Sequence, residues 1–94
     1  MKLTIVPSDR DGKKWKAVFS DGAKTKTLHF GAKGYEDYTQ SKDLSRKKLY
    51  IDRHAKRENW QTPYTAGSLS RWILWETPSF QKNVLLFKKR FGLD

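Results

Sequence analysis

Apolar and polar residues alternate over most of positions 1–30, a pattern typical of half-buried strands. The alternation falls into three runs, over residues 2–6, 14–19 and 24–30, with turn-forming residues between them. We therefore predict a three-stranded antiparallel meander. Residues 31–34, with a glycine at each end, are predicted to close it as a turn.

The Asp21-Gly22 pair between the second and third runs predicts a two-residue hairpin turn, because both positions can take positive φ. On that register Ser20 pairs with Ala23, and Lys16 lies opposite Thr27. The outer face then carries alternating lysines and threonines. Such a face also keeps an ordinary antiparallel sheet soluble, so it does not by itself indicate a function.

Helical spacing replaces the alternation in the middle of the chain, where residues 43–58 fit one helix at about 100° per residue. One side of this helix is predicted to be an apolar core face, formed by Leu44, Ile51 and Ala55. The opposite side is predicted to carry three arginines, Arg46, Arg53 and Arg57. Tyr50 lies beside them. The alternative interpretation of the arginines is an ordinary solvated face.

A short apolar helix is predicted over residues 69–75, with Ser68 as its N-cap. It is apolar almost all round, as buried helices are. Arg71 is the exception within it. Its guanidinium must reach solvent, pair with a carboxylate, or lie over Trp75 one turn further on.

A last helix is predicted to begin at Thr77-Pro78 and to end at Gly92. One face of it is hydrophobic, with Phe80, Val84, Phe87 and Phe91. The predicted fold is a single basic α+β domain over residues 1–94, a small three-stranded antiparallel sheet followed by about three helices. Its core is predicted to be one buried cluster of Trp15, Leu28, Ile51, Trp72, Ile73, Val84 and Phe87.

The charge of the chain indicates which kinds of partner this domain binds. The chain has 20 Lys and Arg against 10 Asp and Glu, a net charge of +10. Such an excess attracts polyanions, which are nucleic acids, anionic membrane surfaces or acidic proteins. A membrane is the weakest of these, because no predicted helix is both strongly basic and apolar on its surface. The absence of cysteine and of a signal-peptide pattern favours an intracellular protein.

Duplex DNA is the favoured partner, with weak sequence selectivity and an architectural role. The sequence has no helix-turn-helix, zinc-finger or RNP pattern, and phosphate contacts carry no sequence information. The candidate binding residues are basic side chains of the sheet and helices, together with one tyrosine: Arg46, Tyr50, Arg53, Arg57, Lys14, Lys16, Lys33 and Arg71. Tyr50 and Trp60 could stack on bases. The alternative is that both are half-buried anchors.

A second function stays open, that of a virion structural or protein-interaction module whose basic surface meets acidic viral proteins. Binding to any duplex with steep salt dependence would favour the first function. Saturable binding to one protein, without DNA binding, would favour the second. The sequence leaves open the choice between DNA and RNA, and also the oligomeric state.

An enzyme, a metal site or a cofactor is not expected. His54 and Glu58 lie one helical turn apart, but two ligands do not hold a metal. Asp43, Asp52 and Glu58 do not converge as a metal-dependent nuclease requires. Residues 31–34 lack the GK[ST] of a P-loop, so they are interpreted as a turn.

The run from Phe30 to Trp75 carries a many-pointed pattern, GAKGY, DYT and RK..YI.RH..RE.W, followed by TAG..SRW.LW. In this the chain resembles a family of small basic, largely uncharacterised proteins of large nucleocytoplasmic DNA viruses (giant viruses). The resemblance implies a viral protein of the infected cell, in the viral factory or nucleus. It also implies that such a protein is packaged in the virion or held near the viral genome. The resemblance assigns no binding residues.

Overall fold

A computed structural model describes residues 1–94 and confirms the α+β class. Its three strands form one antiparallel sheet in the order β1-β2-β3 and comprise β1 Lys2–Pro7, β2 Lys13–Ser20 and β3 Thr25–Ala32. The helical half comprises α1 Tyr38–Ser41, α2 Leu44–His54, α3 Ala66–Leu69, a π-helical segment Ser70–Leu74, and α4 Phe80–Phe91. The polypeptide thus folds as a meander followed by helices, as its pattern predicts.

The register of the β2–β3 hairpin differs from the predicted one. Lys16 pairs with His29 instead of Thr27, and Ser20 pairs with Thr25 instead of Ala23. The shift is by two residues, so every side chain stays on its predicted face of the sheet. The inward positions Ala17 and Phe30 are accordingly buried.

The turn itself explains this shift, because it is centred on Gly22-Ala23 and not on Asp21-Gly22. Gly22 takes φ +94°, as the first central position of a type II′ turn requires. The Asp21 carboxylate then accepts hydrogen bonds from the N–H groups of Lys24 and Ala23, at 2.7 and 3.1 Å. These two bonds, the one from Lys24 first, hold the pKa of Asp21 below its ordinary value.

The third strand also continues two residues further than predicted, since β3 includes Gly31 and Ala32, which were predicted to lie in the turn. Gly31 takes φ +81°, and a Cβ built on it would lie 3.0 Å from Leu74 Cδ1 and 3.2 Å from Lys14 Cβ. Only glycine fits both this backbone conformation and this close approach. Gly31 therefore lets the end of β3 lie directly against the helical half.

The core lies between the inner face of the sheet and the α3–π segment with α4. It consists of eight buried residues, Leu3, Ala17, Phe19, Phe30, Leu69, Ile73, Leu74 and Phe87. Of the predicted cluster, Ile73 and Phe87 are confirmed as buried. Four others pack against this core while only partly buried: Trp15, Leu28, Trp72 and Val84. Ile51 lies outside it, so its predicted place in the core is wrong.

Two predicted helix caps are wrong by a few residues. Thr65, not Ser68, caps α3, and its Oγ1 accepts a hydrogen bond from Ser68 N–H at 3.0 Å. Ser79, not Thr77, caps α4 by accepting from Lys82 N–H. Serine and threonine are interchangeable as caps, so the sequence alone does not choose among neighbouring ones. The end of α4 at Gly92, which is left-handed with φ +64°, is confirmed.

The central helix begins as predicted, with Asp43 as a cap whose carboxylate accepts from Ser45 N–H at 2.9 Å. It ends at His54, four residues earlier than the predicted Glu58. None of its residues is buried. The predicted apolar core face is wrong, because Leu44 is 52% exposed, Ala55 is exposed and Ile51 is only half-buried. A different face of α2 must therefore pack against the rest of the fold.

Candidate nucleic-acid interface

The face that anchors α2 is aromatic and polar. Tyr50 stacks on Trp75 with ring centroids 4.4 Å apart and the two planes only 4° from parallel. Three residues earlier, Lys47 donates a hydrogen bond to the backbone oxygen of Glu76 at 2.6 Å and pairs with its carboxylate at 3.7 Å. Both contacts reach the segment that leaves the π-helix. Together they replace the aliphatic face that the sequence pattern predicted.

Tyr50 is enclosed on both faces of its ring. His54 stacks on it with ring centroids 4.3 Å apart. Because Trp75 already covers one face of the tyrosine ring, His54 must cover the other. Of the two roles considered for Tyr50, the structure therefore shows the half-buried anchor. Its burial, and next the negative charge of Glu58, raise the pKa of Tyr50 to about 12.

The predicted set of three arginines is divided between the helix and the turn after it. Arg46 and Arg53 lie seven residues apart on α2 and share one side, which flanks the anchoring face. Arg57 lies beyond the helix end at His54, so its predicted place on the helix face is wrong. Arg46 approaches Glu36 at 3.5 Å, but both side chains are about half exposed and the pair is weak. No carboxylate lies within 4.0 Å of Arg53 or Arg57.

A cleft of about 630 Å³ separates α2 from the end of the β2–β3 hairpin and from α3. We call this the α2 cleft. Four of the eight candidate residues line it, namely Lys14, Arg46, Tyr50 and Arg53. Candidates from the sheet and from the helix are thus brought to one place. Lys33 lies in the turn after β3 and lines a separate depression next to it, whereas Lys16, Arg57 and Arg71 line neither.

The side chain of Lys14 is largely buried and holds the loop after β3 against β2. Its ammonium donates to the Asp37 carboxylate at 2.8 Å, to the side-chain oxygen of Gln40 and to the backbone oxygen of Tyr35. The side chain is 14% exposed. These bonds fix the loop between β3 and α1 against β2, and they use all three ammonium donors. Lys14 therefore supports one wall of the α2 cleft and has no donor left for a phosphate.

Arg71, the other inward-facing candidate, is 11% exposed. It pairs with Glu76 at 3.1 Å, and its guanidinium lies 4.3 Å from the ring of Trp72. Of the three alternatives for this residue, the carboxylate partner is thus confirmed, and the aromatic neighbour is Trp72 and not Trp75. Arg71 also lies 5.4 Å from the ring of Trp60. Trp60 is half-buried with its Nε1 fully enclosed, so the structure shows it as an anchor as well.

The comparison with known protein families gives a match. The model of a family of unknown function, DUF5754, matches residues 3–54, which is more than half of the chain. The chain belongs to the DUF5754 family. No curated protein and no solved structure matches it. Since the family description names neither a source nor a function, the resemblance to viral proteins stays a prediction.

The DUF5754 match has a structural meaning of its own, because it spans the sheet, α1 and the whole of α2. It therefore includes the two walls of the α2 cleft that carry Lys13, Arg46 and Arg53. The remaining wall, from Ala66 to Trp75, lies beyond the matched residues.

Sequence reasoning missed two residues of the α2 cleft, Lys13 and Tyr35. Tyr35 is 75% exposed. It follows a glycine turn, where the strand and helix patterns both fail, so periodicity gave no reason to single it out. An exposed aromatic in a short loop next to a basic helix is the signal that could have identified it.

Most of the positive charge of the chain is unpaired. Five of the 20 Lys and Arg form ion pairs with carboxylates, namely Lys14, Lys16, Arg46, Lys47 and Arg71, and the other 15 have none within 4.0 Å. No group of three or more His, Asp or Glu side chains is placed to hold a metal ion. No helix is long and apolar enough to cross a membrane.

Proposed function

We propose that this protein binds duplex DNA through its phosphates, with little preference for sequence. The observation that supports this is the 15 cationic side chains without a carboxylate partner. Each can exchange its counterion for a phosphate, and the release of counterions from DNA drives such binding. The sequence has no pattern of a base-reading motif, so the affinity is assigned to phosphate contacts.

The contact surface on this proposal is the rim of the α2 cleft and the exposed side of α2 next to it. Arg53 and Lys13 lie on opposite walls of the cleft and both lack a carboxylate partner. The exposed helix and the turn after it add Lys48, Lys56 and Arg57. Cations on two elements are thus available to a phosphate backbone that follows the rim. Lys14 and Arg71 are left out. All three ammonium donors of Lys14 are engaged within the chain, and the side chain of Arg71 is only 11% exposed and pairs with Glu76.

The test is the salt dependence of binding to a blunt 20–30 base-pair duplex of random sequence, measured by fluorescence anisotropy. If about 6 phosphates are contacted, log K falls with log salt at a slope near −5. Duplex RNA and single-stranded DNA of equal length are measured beside it, because phosphate contacts alone do not distinguish among these nucleic acids. A slope near zero, or no binding at low salt, contradicts the proposal.

A second candidate function, a protein-interaction module, is favoured by one observation on α4. Leu85 is 67% exposed and Leu86 lies beside it, also exposed. Exposed leucines flanked by Lys82 and Lys89 suit an acidic, amphipathic protein segment. Saturable binding of such a segment, without DNA binding at low salt, would favour this function over the first. Replacement of Leu85 and Leu86 by serine should then abolish the interaction.

A further inference from the structure

The α2 cleft is larger than a phosphate-binding rim needs to be. Its volume of about 630 Å³ is typical of sites for small organic molecules, which occupy roughly 300–1,000 Å³. A base pair that is still stacked in a duplex cannot enter a depression between two elements. A single nucleotide that has left the stack is of the right size. The cleft is therefore large enough for one nucleotide, and its walls decide whether a base and a phosphate can bind there.

Tyr35 supplies a free aromatic surface at the mouth of the cleft. Unlike Tyr50, it stacks on no other ring of the chain. Its backbone is nevertheless held in place, because its carbonyl oxygen accepts from Lys14 and its N–H donates to Ala32 O at 3.4 Å. A fixed backbone with an exposed ring is the arrangement on which unpaired bases stack.

The cleft also offers more hydrogen-bond donors than acceptors. Arg53 and Lys13 have no carboxylate partner, and the Tyr50 hydroxyl makes no hydrogen bond within the chain. Two of the three carboxylates of the cleft have a cationic neighbour: Asp37 has Lys14 at 2.8 Å and Glu36 has Arg46 at 3.5 Å. The third, Glu58, lies 3.8 Å from the ring of His54, which is charged only when it is protonated. Most of the groups left free are therefore donors, which suits an anionic ligand.

From these observations we propose that the α2 cleft receives one unpaired nucleotide of a nucleic acid, with its base on Tyr35 and its phosphate toward Arg53 and Lys13. This inference rests on the proposed function, because the rim would hold the adjoining duplex. It specifies the substrate more closely: a duplex that ends in a single-stranded tail, or that contains a gap, binds more tightly than a blunt one.

The experiment compares three ligands at one salt concentration by fluorescence anisotropy. They share one duplex, which is blunt, carries a tail of three nucleotides, or carries a tail of three abasic nucleotides. The abasic tail adds the same phosphates without the bases. The natural tail is expected to bind about tenfold more tightly than the abasic one, as the stacking of a base on an aromatic side chain provides.

Variants at Tyr35 assign this preference to the cleft. Tyr35→Ala should remove the tenfold difference between the natural and the abasic tail and leave blunt-duplex binding unchanged, whereas Tyr35→Phe should retain the difference. The matched control is Gln81→Ala, since Gln81 is also exposed but lies on α4, outside the cleft. That variant should behave as the wild type with all three ligands.

The outcomes separate the two proposals. If the wild type binds the blunt duplex but does not distinguish the natural tail from the abasic one, the inference is overturned and the proposed function stands. The same holds if Tyr35→Ala retains the full preference. If none of the three ligands binds at low salt, the proposed function fails and the inference fails with it.

Discussion

Asn83 is a polar side chain that is fully buried within the hydrophobic core. Its amide donates to the backbone oxygens of Ile73 and Thr77 at 2.7 and 2.9 Å, and its side-chain oxygen accepts from Thr77 N–H at 3.0 Å. Helix ends leave such carbonyls without partners. Asn83 thus joins the end of the π-helical segment to α4, and it does so beside the two residues that anchor α2, Trp75 and Glu76.

Asn83→Leu keeps the size of this side chain and removes its hydrogen bonds. The buried carbonyl of Ile73 and the partly buried carbonyl and N–H of Thr77 then lose their partner, and each such loss costs about 1–3 kcal/mol. The expected loss in the free energy of unfolding is about 3 kcal/mol or more, measured by urea denaturation. Gln81→Leu, an exposed position on the same helix, is the control and should change it by less than about 0.5 kcal/mol. A similar small effect for Asn83→Leu would contradict the joining role.

Tyr50 gives a prediction about alkaline pH. Its pKa is raised to about 12 in the fold, whereas an unfolded tyrosine titrates near 10. Below about pH 10 the hydroxyl is protonated in both states, so the shift has no effect on stability there. As the pH rises from about 10 to 12, the unfolded state releases its proton first, and the fold loses up to about 2 kcal/mol.

Tyr50→Phe tests this, because it keeps the ring between His54 and Trp75 and removes the titrating group. The free energy of unfolding of the wild type should fall more steeply than that of the variant between about pH 10 and about pH 12. Lysines titrate in the same range but do so in both proteins. Parallel curves would mean that the hydroxyl is not held in its neutral form by the fold.

At the scale of elements, the strands were predictable and the phase of α2 was not. Alternation and turn residues located all three strands to within about two residues, because the buried residues of the strands all lie on one face of the sheet: Leu3, Ala17, Phe19 and Phe30. The phase of α2 depends instead on Tyr50 stacking against Trp75 and on Lys47 reaching a backbone oxygen. The apolar pattern indicates that hydrophobic residues face the rest of the fold and that lysines face solvent, whereas Lys47 faces the rest of the fold.

The same contrast explains which parts of the candidate site could be predicted. Arg46 and Arg53 were identified by their spacing, because residues seven apart share a helix side whatever the phase of the helix. Lys14 was expected outside, since its strand alternates, yet it reaches Asp37 across the edge of the sheet. Contacts between loops and sheet edges do not recur at regular spacing along the sequence, so a periodic pattern does not predict them.

The loose attachment of α2 predicts that it opens before the rest of the fold. It has no buried residue, whereas α4 buries Phe87 and Asn83. Local openings begin where few apolar groups are buried. Amide hydrogens of α2 should therefore exchange faster than those of α4 in native-state hydrogen exchange, with protection in the sheet at least equal to that in α4. Equal protection in the two helices would mean that the stacking of Tyr50 holds α2 as firmly as a core does.

At the scale of the whole molecule, charge acts on folding and on binding in opposite directions. A net charge of +10 with most cations unpaired repels itself, so added salt should stabilise the fold. The same salt weakens binding to DNA by counterion competition. A net charge of either sign would keep the protein soluble, so solubility alone does not explain why the net charge is positive. The excess is therefore best tested by removing charge at the proposed interface and, separately, elsewhere.

The triple variant Arg46→Gln, Arg53→Gln, Arg57→Gln removes three charges beside the α2 cleft. The control, Lys24→Gln, Lys82→Gln, Lys89→Gln, removes three exposed and unpaired charges outside it. Both variants should unfold at nearly the wild-type urea concentration, because exposed charges contribute little to folding. The arginine variant should bind duplex DNA more weakly, with a salt slope smaller in magnitude by up to about three.

The control should keep most of the wild-type affinity and slope, because its charges act on DNA only from a distance and are screened. If both variants lose the same affinity, binding follows net charge alone and the α2 cleft is not the interface. Should the arginine variant unfold, the Arg46–Glu36 pair would matter far more than its 3.5 Å separation and half-exposed side chains indicate. If the arginine variant binds as the wild type does, the contacts lie on the sheet side, and Lys13 and Lys33 are the residues to change next.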